Sequence, residues 1–184
     1  MEIQILDWLQ TLRSPVGDFL MSAVTKLGDA GIFWILFTAV LLIVPKTRRC
    51  GIVLALSLLI DVFLCNIFLK PLIARERPFN VNTMVQLLVE MPKDFSFPSG
   101  HTAASFTVVS ALWFYGAKRL CAVTLPIAVL IAASRLYLYV HYPTDVLGGI
   151  AVGIFAGFSG CAVCRKIWNI TDRKKAEREK SNSR

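Results

Sequence analysis

Histidine occurs only twice in this 184-residue chain, as His101 and His141, and charged residues make up only 17% of it. Its 55% hydrophobic residues exceed the roughly 45–50% of ordinary soluble domains, an excess that a soluble core does not account for. The five cysteines, Cys50, Cys65, Cys121, Cys161 and Cys164, are odd in number and follow no regular framework, which excludes a disulfide scaffold. Cys161 and Cys164 form a C-x-x-C at the end of an apolar run, where they read as small buried residues rather than a redox or metal pair. Residues 1–13 carry Glu2 and Asp7 and lack a basic start followed by an apolar block, so no cleavable signal peptide is expected. No repeat or low-complexity segment occurs. The net charge of +8 does not point to nucleic acid, because no basic helix is interleaved with aromatics.

What the chain has instead is apolar sequence in long runs, with a mean hydropathy of +0.61. The runs are separated by charged patches, the pattern of membrane-spanning helices around one compact domain. The fold class expected is all-α, a polytopic membrane bundle of about five transmembrane helices. The spans read as Ala30–Pro45, Gly51–Leu69, Ser99–Ala117, Leu120–Val140 and Val146–Val163. The first is short against the roughly 20 residues a spanning helix needs. Residues 1–29 are amphipathic and broken at Pro15, which predicts helices lying in the bilayer interface. The organisation is thus an interfacial segment at 1–29, a membrane domain at 30–164 and a basic tail at 165–184.

Orientation follows from the basic residues. Lys46, Arg48 and Arg49 lie between spans one and two, Lys118 and Arg119 between spans three and four, and the tail follows span five. These three regions hold 13 Lys/Arg against 3 Asp/Glu, whereas the rest of the chain holds 7 against 9. In a serial bundle they share one side, which the positive-inside rule makes cytoplasmic. Residues 1–29, the Lys70–Pro98 loop and the turn at His141 then share the other side.

Three clusters carry chemistry, and all sit at the outer ends of spans. Lys70, Arg75 and Arg77-Pro78 lie where span two exits. Pro98-Ser99-Gly100-His101 opens span three, where unpaired backbone N–H groups and a Gly suit an approaching anion. Ser134-Arg135 lies near the end of span four, and His141-Tyr142-Pro143-Thr144-Asp145 opens span five. Arg135 lies inside an apolar run, an expensive place for a charge unless it faces an anion or a wet cavity. Its planar fork can hold two phosphate oxygens at once. Asp145 is positioned to accept one imidazole N–H of His141, leaving the other nitrogen as a nucleophile. His101 is the remaining imidazole and can protonate a leaving oxygen. Lys70, Arg77 and Arg135 would repel a metal ion and can do its electrostatic work, so no metal and no cofactor is expected.

Read as Lys70-x6-Arg77-Pro78, Pro98-Ser99-Gly100-His101 and Ser134-Arg135-x5-His141-x3-Asp145, these residues resemble the type-2 phosphatidic acid phosphatase family. That family shares its catalytic core with vanadium haloperoxidases. The resemblance covers Lys70 to Asp145, with all three motifs complete and in order. It implies a metal-independent lipid phosphatase in which His141 becomes a phosphohistidine, Asp145 orients it and His101 acts as general acid. It also implies that Lys70, Arg77, Ser99, Gly100 and Arg135 hold the phosphate. It places the chain in a bacterial plasma membrane, multi-pass, with the site facing outward and the C-terminus in the cytoplasm. The partners implied are the bilayer and a lipid phosphate. Undecaprenyl diphosphate ranks first, then phosphatidylglycerophosphate and phosphatidate, with the small bacterial undecaprenyl-diphosphate phosphatases and phosphatidylglycerophosphatase B as models. Bacterial members usually have six spans, and this chain reads as five. Nothing in the residues fixes an oligomeric state.

Two other readings use the same residues. A vanadate-dependent haloperoxidase would hold vanadate where the phosphate sits, although such relatives are soluble. A non-catalytic phospholipid-binding or transport protein would bind the head group without turnover. Asp61 and Asn66, buried in span two below Lys70, are expected to form structural hydrogen bonds. Residues 79–97 are expected to lie over the outer face, with Val81 to Met91 as an interfacial helix or a surface loop.

Overall fold

The computed structural model describes residues 1–182, without the side chains of 174–178 and 180–182, so the expected basic tail lies partly outside the described residues. Every regular element within them is helical. In chain order these are α1 (Glu2–Thr11), α2 (Pro15–Lys26), a 3₁₀ turn (Asp29–Gly31), α3 (Ile32–Ile43) and α4 (Arg48–Asp61). A π-helical stretch (Val62–Leu69) carries α4 into the short α5 (Lys70–Ile73), followed by α6 (Pro78–Val81), α7 (Gly100–Tyr115), α8 (Lys118–Tyr137) and α9 (Pro143–Asn182).

Local chemistry sets the boundaries. Ser14 caps α2, its hydroxyl accepting from Gly17 N–H at 3.1 Å, and Pro15 follows at the first helical position. Gly116 ends α7 at φ +100°, a conformation that a side chain disfavours. Pro143 opens α9.

α7 is the central post, with α3, α4, α8 and α9 packed around it. The α7–α9 contact is the most extensive because α9 turns a stripe of glycines toward α7. A Cβ on Gly149 would lie 2.7 Å from the Ser99 carbonyl oxygen, one on Gly153 2.6 Å from the Ala103 carbonyl, and one on Gly157 2.0 Å from Ser110 Oγ. Small residues four apart let two helix backbones approach this closely, as in bilayer-embedded pairs. Farther down, Trp34, Val53, Leu54, Val108, Leu112 and Ile131 form the apolar core, and the Trp34 indole N–H donates to Ser105 at 3.0 Å. A smaller cluster of Leu6, Phe79, Leu138, Tyr139, Val140 and Tyr142 seats α1 beside the turn at His141.

Among the described residues, three or four spans meet the length and composition of a crossing helix, against the expected count of about five. Arg48–Val81, Lys118–Tyr137 and Pro143–Arg173 are long and apolar enough to cross a bilayer. Pro15–Lys26 and Asp29–Ile43, bent by 42° to each other, make a fourth if the pair is one broken span. The expected first span forms only the 12-residue α3, which stops ahead of Pro45. The expected third span forms α7, whose 16 residues reach about 24 Å, less than a hydrocarbon core of ~30 Å. Of the two readings left open for residues 79–97, an interfacial helix or a surface loop, the loop is the one found. Beyond Val81, residues 82–99 form turns and extended backbone, because polar pairing rather than apolar periodicity organises the loop.

Candidate active site

Two backbone turns with unusual conformations deliver the site. Ala74, at φ +48°, ends α5 between Lys70 and Arg77, and Tyr139, at φ +60°, ends α8 just ahead of His141. Positive φ in a residue with a Cβ costs on the order of 1–3 kcal/mol and persists only where surroundings impose it. Tyr139 is held by its hydroxyl donating to Asp7 at 2.6 Å and by full burial.

These turns place six of the eight residues expected in the site around one cavity of about 700 Å³: Lys70, Arg77, Gly100, His101, Arg135 and His141. Lys70 and Gly100 are close neighbours, since a Cβ on Gly100 would stand 3.5 Å from Lys70 Nζ and 3.4 Å from Asn66 Oδ1. An ammonium group thus lies beside the open N-terminus of α7. Arg135 is 4% exposed and donates through Nη1 to Thr25 Oγ1 at 2.5 Å, while its Nε is buried without a partner. Burying an unpartnered guanidinium N–H is unfavourable unless an anion completes it.

Asp145 and Ser99 stand behind this wall. Ser99 is fully buried; its hydroxyl accepts from Thr102 at 3.0 Å and its N–H donates to the Asp145 carbonyl at 3.0 Å. The structure therefore engages Ser99 in joining α7 to α9 and does not present it to the cavity.

The state of His141 follows from its neighbours. Arg77 Nη1 lies 3.2 Å from Nε2, and a guanidinium can only donate. Nε2 is therefore the unprotonated nitrogen, and the ring proton sits on Nδ1, 3.5 Å from Asp145 Oδ2. That separation is at the long limit for a hydrogen bond. Burial, reinforced by the charges of Arg77 and Arg135, pushes the His141 pKa down to about 3 against the opposing pull of Asp145. A neutral imidazole whose Nε2 lone pair is held by Arg77, itself on the cavity wall, is the form a nucleophile needs once a phosphoryl oxygen takes over that guanidinium.

Asp145 is fully buried and surrounded by donors. Arg75 Nη1 donates to Oδ1 at 2.7 Å, and Oδ2 accepts from the Ser96 hydroxyl at 2.5 Å and Tyr142 N–H at 2.9 Å. Arg75 also stacks on the Tyr142 ring at 3.9 Å and donates through Nη2 to Glu2 at 2.6 Å, tying α1 to the site. Sequence reasoning placed Arg75 in a cluster without a role, and its spacing from Arg77 is the only local signal it carries.

Asp94 was not foreseen at all. Its carboxylate accepts from Lys70 Nζ and from Arg77 Nη2, the latter at 2.6 Å, and its backbone carbonyl accepts from Arg77 Nε at 2.8 Å. Burial alone would raise the Asp94 pKa, but Lys70 and Arg77 outweigh it and hold it at about 2. A carboxylate thus pairs with cations expected to bind phosphate. Asp94→Asn is expected to tighten inhibition by orthophosphate about tenfold, the equivalent of one charge-assisted hydrogen bond no longer competing. Weaker inhibition would mean that Asp94 organises the cations rather than competing for them.

Among the described residues no three His, Cys, Asp or Glu side chains gather as metal ligands would. Asp61, expected to find a polar partner, is 2% exposed with Oδ1 unpaired, and it lines a side groove with Asn66 and Lys70.

A model of the PAP2 superfamily matches residues 51–169. The chain belongs to this superfamily. All three motifs fall inside the matched region, whereas Glu2, Thr25 and Asp29 lie ahead of it. The chain is 38% identical over 125 residues to an undecaprenyl-diphosphatase of Sulfolobus acidocaldarius, covering 68% of this chain and 60% of that protein. It is 30% identical over 179 residues to a lipid A 4'-phosphatase of Bacteroides thetaiotaomicron, covering 90% of this chain and 78% of the other. A crystal structure of a transmembrane PAP2-type phosphatidylglycerolphosphate phosphatase from Bacillus subtilis superposes with a TM-score of 0.74 at 29% identity, over 90% of this chain and 85% of that one. The helical architecture is therefore that of the PAP2 membrane phosphatases, and the apolar helices identify an integral membrane protein.

Proposed function

We propose that the chain hydrolyses a phosphate ester or diphosphate on a membrane lipid head group through a phosphohistidine on His141. The observation that carries this reading is the unprotonated Nε2 of His141 at a cavity whose wall also holds Lys70, Arg77 and Arg135. In the first step Nε2 forms the N–P bond while the P–O bond to the lipid breaks, and the departing oxygen takes its proton from His101. Lys70, Arg77, Arg135 and the Gly100 end of α7 neutralise the charge on the phosphoryl oxygens. In the second step His101 takes a proton from water, the water oxygen attacks phosphorus, and the N–P bond breaks to release phosphate. Asp145 stabilises the Nδ1–H side of His141 throughout.

The cavity lies at the ends of apolar helices, the level at which a lipid head group meets water. The asymmetry of the basic residues supports an extracytoplasmic site and a cytoplasmic C-terminus. Undecaprenyl diphosphate is the first substrate to test, because one relative bears that activity in its name. Phosphatidylglycerophosphate, phosphatidate and a lipid A phosphate follow. The experiment is phosphate release from these lipids by detergent-solubilised protein, with and without EDTA. Release is expected from at least one lipid, unchanged by EDTA because the fixed cations supply the charge. No release from any of them would overturn the reading, and loss of release in EDTA would overturn its metal-free form.

A further inference from the structure

His141 is not the only histidine backed by a carboxylate. His101 Nε2 lies 2.9 Å from Asp29 Oδ1, on the 3₁₀ turn between α2 and α3. Asp29 is 72 residues from His101 in sequence and ahead of the matched family region. The turn is shaped to hold it there. Ala30 and Gly31 both have positive φ, at +49° and +66°. Gly28 packs so closely on the imidazole that a Cβ there would stand 2.4 Å from His101 Cδ2. Two consecutive residues, Gly28 and Asp29, are therefore fitted to one edge of the His101 ring.

We propose that Asp29 is the positioning residue for the leaving-group acid, forming with His101 a second imidazole–carboxylate pair opposite His141–Asp145. This rests on the phosphatase reading given above. A carboxylate can only accept, so Nε2 carries a proton in every state. Among the described residues none hydrogen-bonds Nδ1, which is not buried, and this leaves it as the nitrogen that meets the leaving oxygen. In the acid form both nitrogens are protonated. Lys70 and Arg135 share the cavity wall with this ring, so an imidazolium there faces two like charges, and Asp29 is the carboxylate bonded to it. In the first step the Nδ1 proton moves to the lipid oxygen as the P–O bond breaks. The ring remains neutral, with Nε2–H on Asp29 and a lone pair on Nδ1. That lone pair then accepts a proton from water in the second step. One tautomer, fixed by Asp29, thus serves both half-reactions.

The test is the dependence on leaving group. An alkoxide departs poorly without a proton, whereas a p-nitrophenolate departs unaided. Wild-type, Asp29→Asn, Asp29→Glu and His141→Ala proteins are compared on dioctanoyl phosphatidate and on a p-nitrophenyl phosphate bearing an alkyl chain. Asp29→Asn is expected to lower kcat on phosphatidate by about 10- to 100-fold with KM unchanged, within the range of general acid catalysis. The rate of its nitrophenolate burst, which reports P–O cleavage alone, is expected to stay within about twofold, while the steady-state rate on that ester falls because the second step also uses His101, and Asp29→Glu recovers part of the phosphatidate rate. Equal loss of the phosphatidate rate and of the nitrophenolate burst, or no loss of either, would overturn the proposal. A misfolded variant would lose both activities and show a lowered Tm, and the Asp29→Glu comparison then decides. Absence of wild-type turnover on these esters and on every lipid named above, or survival of turnover in His141→Ala, would overturn the phosphatase reading itself.

Discussion

Replacing His141 by alanine is expected to lower turnover by roughly 10⁴-fold or more while leaving the phosphate-binding cations in place. The size of the loss follows from its role. Nε2 is the atom to which phosphorus would bond, and among the described residues no second ring nitrogen pairs with Arg77. Lys70, Arg77, Arg135 and the α7 N-terminus do not depend on the imidazole, so binding of orthophosphate or vanadate should persist within a few-fold. The measurement pairs single-turnover phosphate release with equilibrium oxyanion binding. Rapid quenching of the wild type on a radiolabelled lipid should trap an acid-labile phosphoenzyme that is missing in His141→Ala. Undiminished release from His141→Ala would remove the histidine from the mechanism. Binding without release in the wild type would support the lipid-binding reading, and vanadate-dependent halide oxidation would support the haloperoxidase reading.

Asp145→Asn is expected to be nearly as severe, with kcat down roughly 10³- to 10⁴-fold and KM little changed. The isosteric amide removes the charge that stabilises a forming imidazolium, and it also creates a local conflict. Both carboxylate oxygens now accept, Oδ1 from Arg75 and Oδ2 from Ser96 and Tyr142 N–H. An amide NH₂ must face one of these donors, so the side chain turns or Arg75 moves. Arg75→Ala separates the two effects, because it leaves the carboxylate and removes one donor. It should lower kcat by no more than about tenfold, the weight of one charge-assisted hydrogen bond. If Arg75→Ala matched Asp145→Asn, the guanidinium rather than the carboxylate charge would govern His141.

The rest of the molecule constrains how far such variants can be moved. The glycine stripe on α9 packs against the start of α7, and Ser99 N–H is bonded to the Asp145 carbonyl. The acid-bearing and nucleophile-bearing helices are thus one rigid unit. The loop carrying Asp94 and Ser96 and the segment carrying Glu2 and Asp29 reach the site residues through polar side chains. Pairing of this kind can reorganise when a phosphate arrives.

The sequence by itself determined the chemistry-bearing motifs and the membrane class. Lys70, Arg77, Gly100, His101, Arg135 and His141 come to one cavity because each lies at a helix end on the same face. Apolar run length and motif spacing encode that placement directly. The number of helices long enough to span was not legible, because Pro45, the Ser99–Gly100 start and Gly116 shorten helices that composition alone would extend. Only the tertiary structure decided which carboxylates serve which cations and imidazoles. Asp94, Asp29 and Glu2 are single polar residues in loops or at a helix start, with no periodicity and no neighbouring motif to mark them. Their partners lie 17 to 73 residues away, brought near by packing rather than by local sequence. A charge in a loop has no preferred partner until the fold supplies one, and in this protein the fold supplies the second carboxylate–imidazole pair.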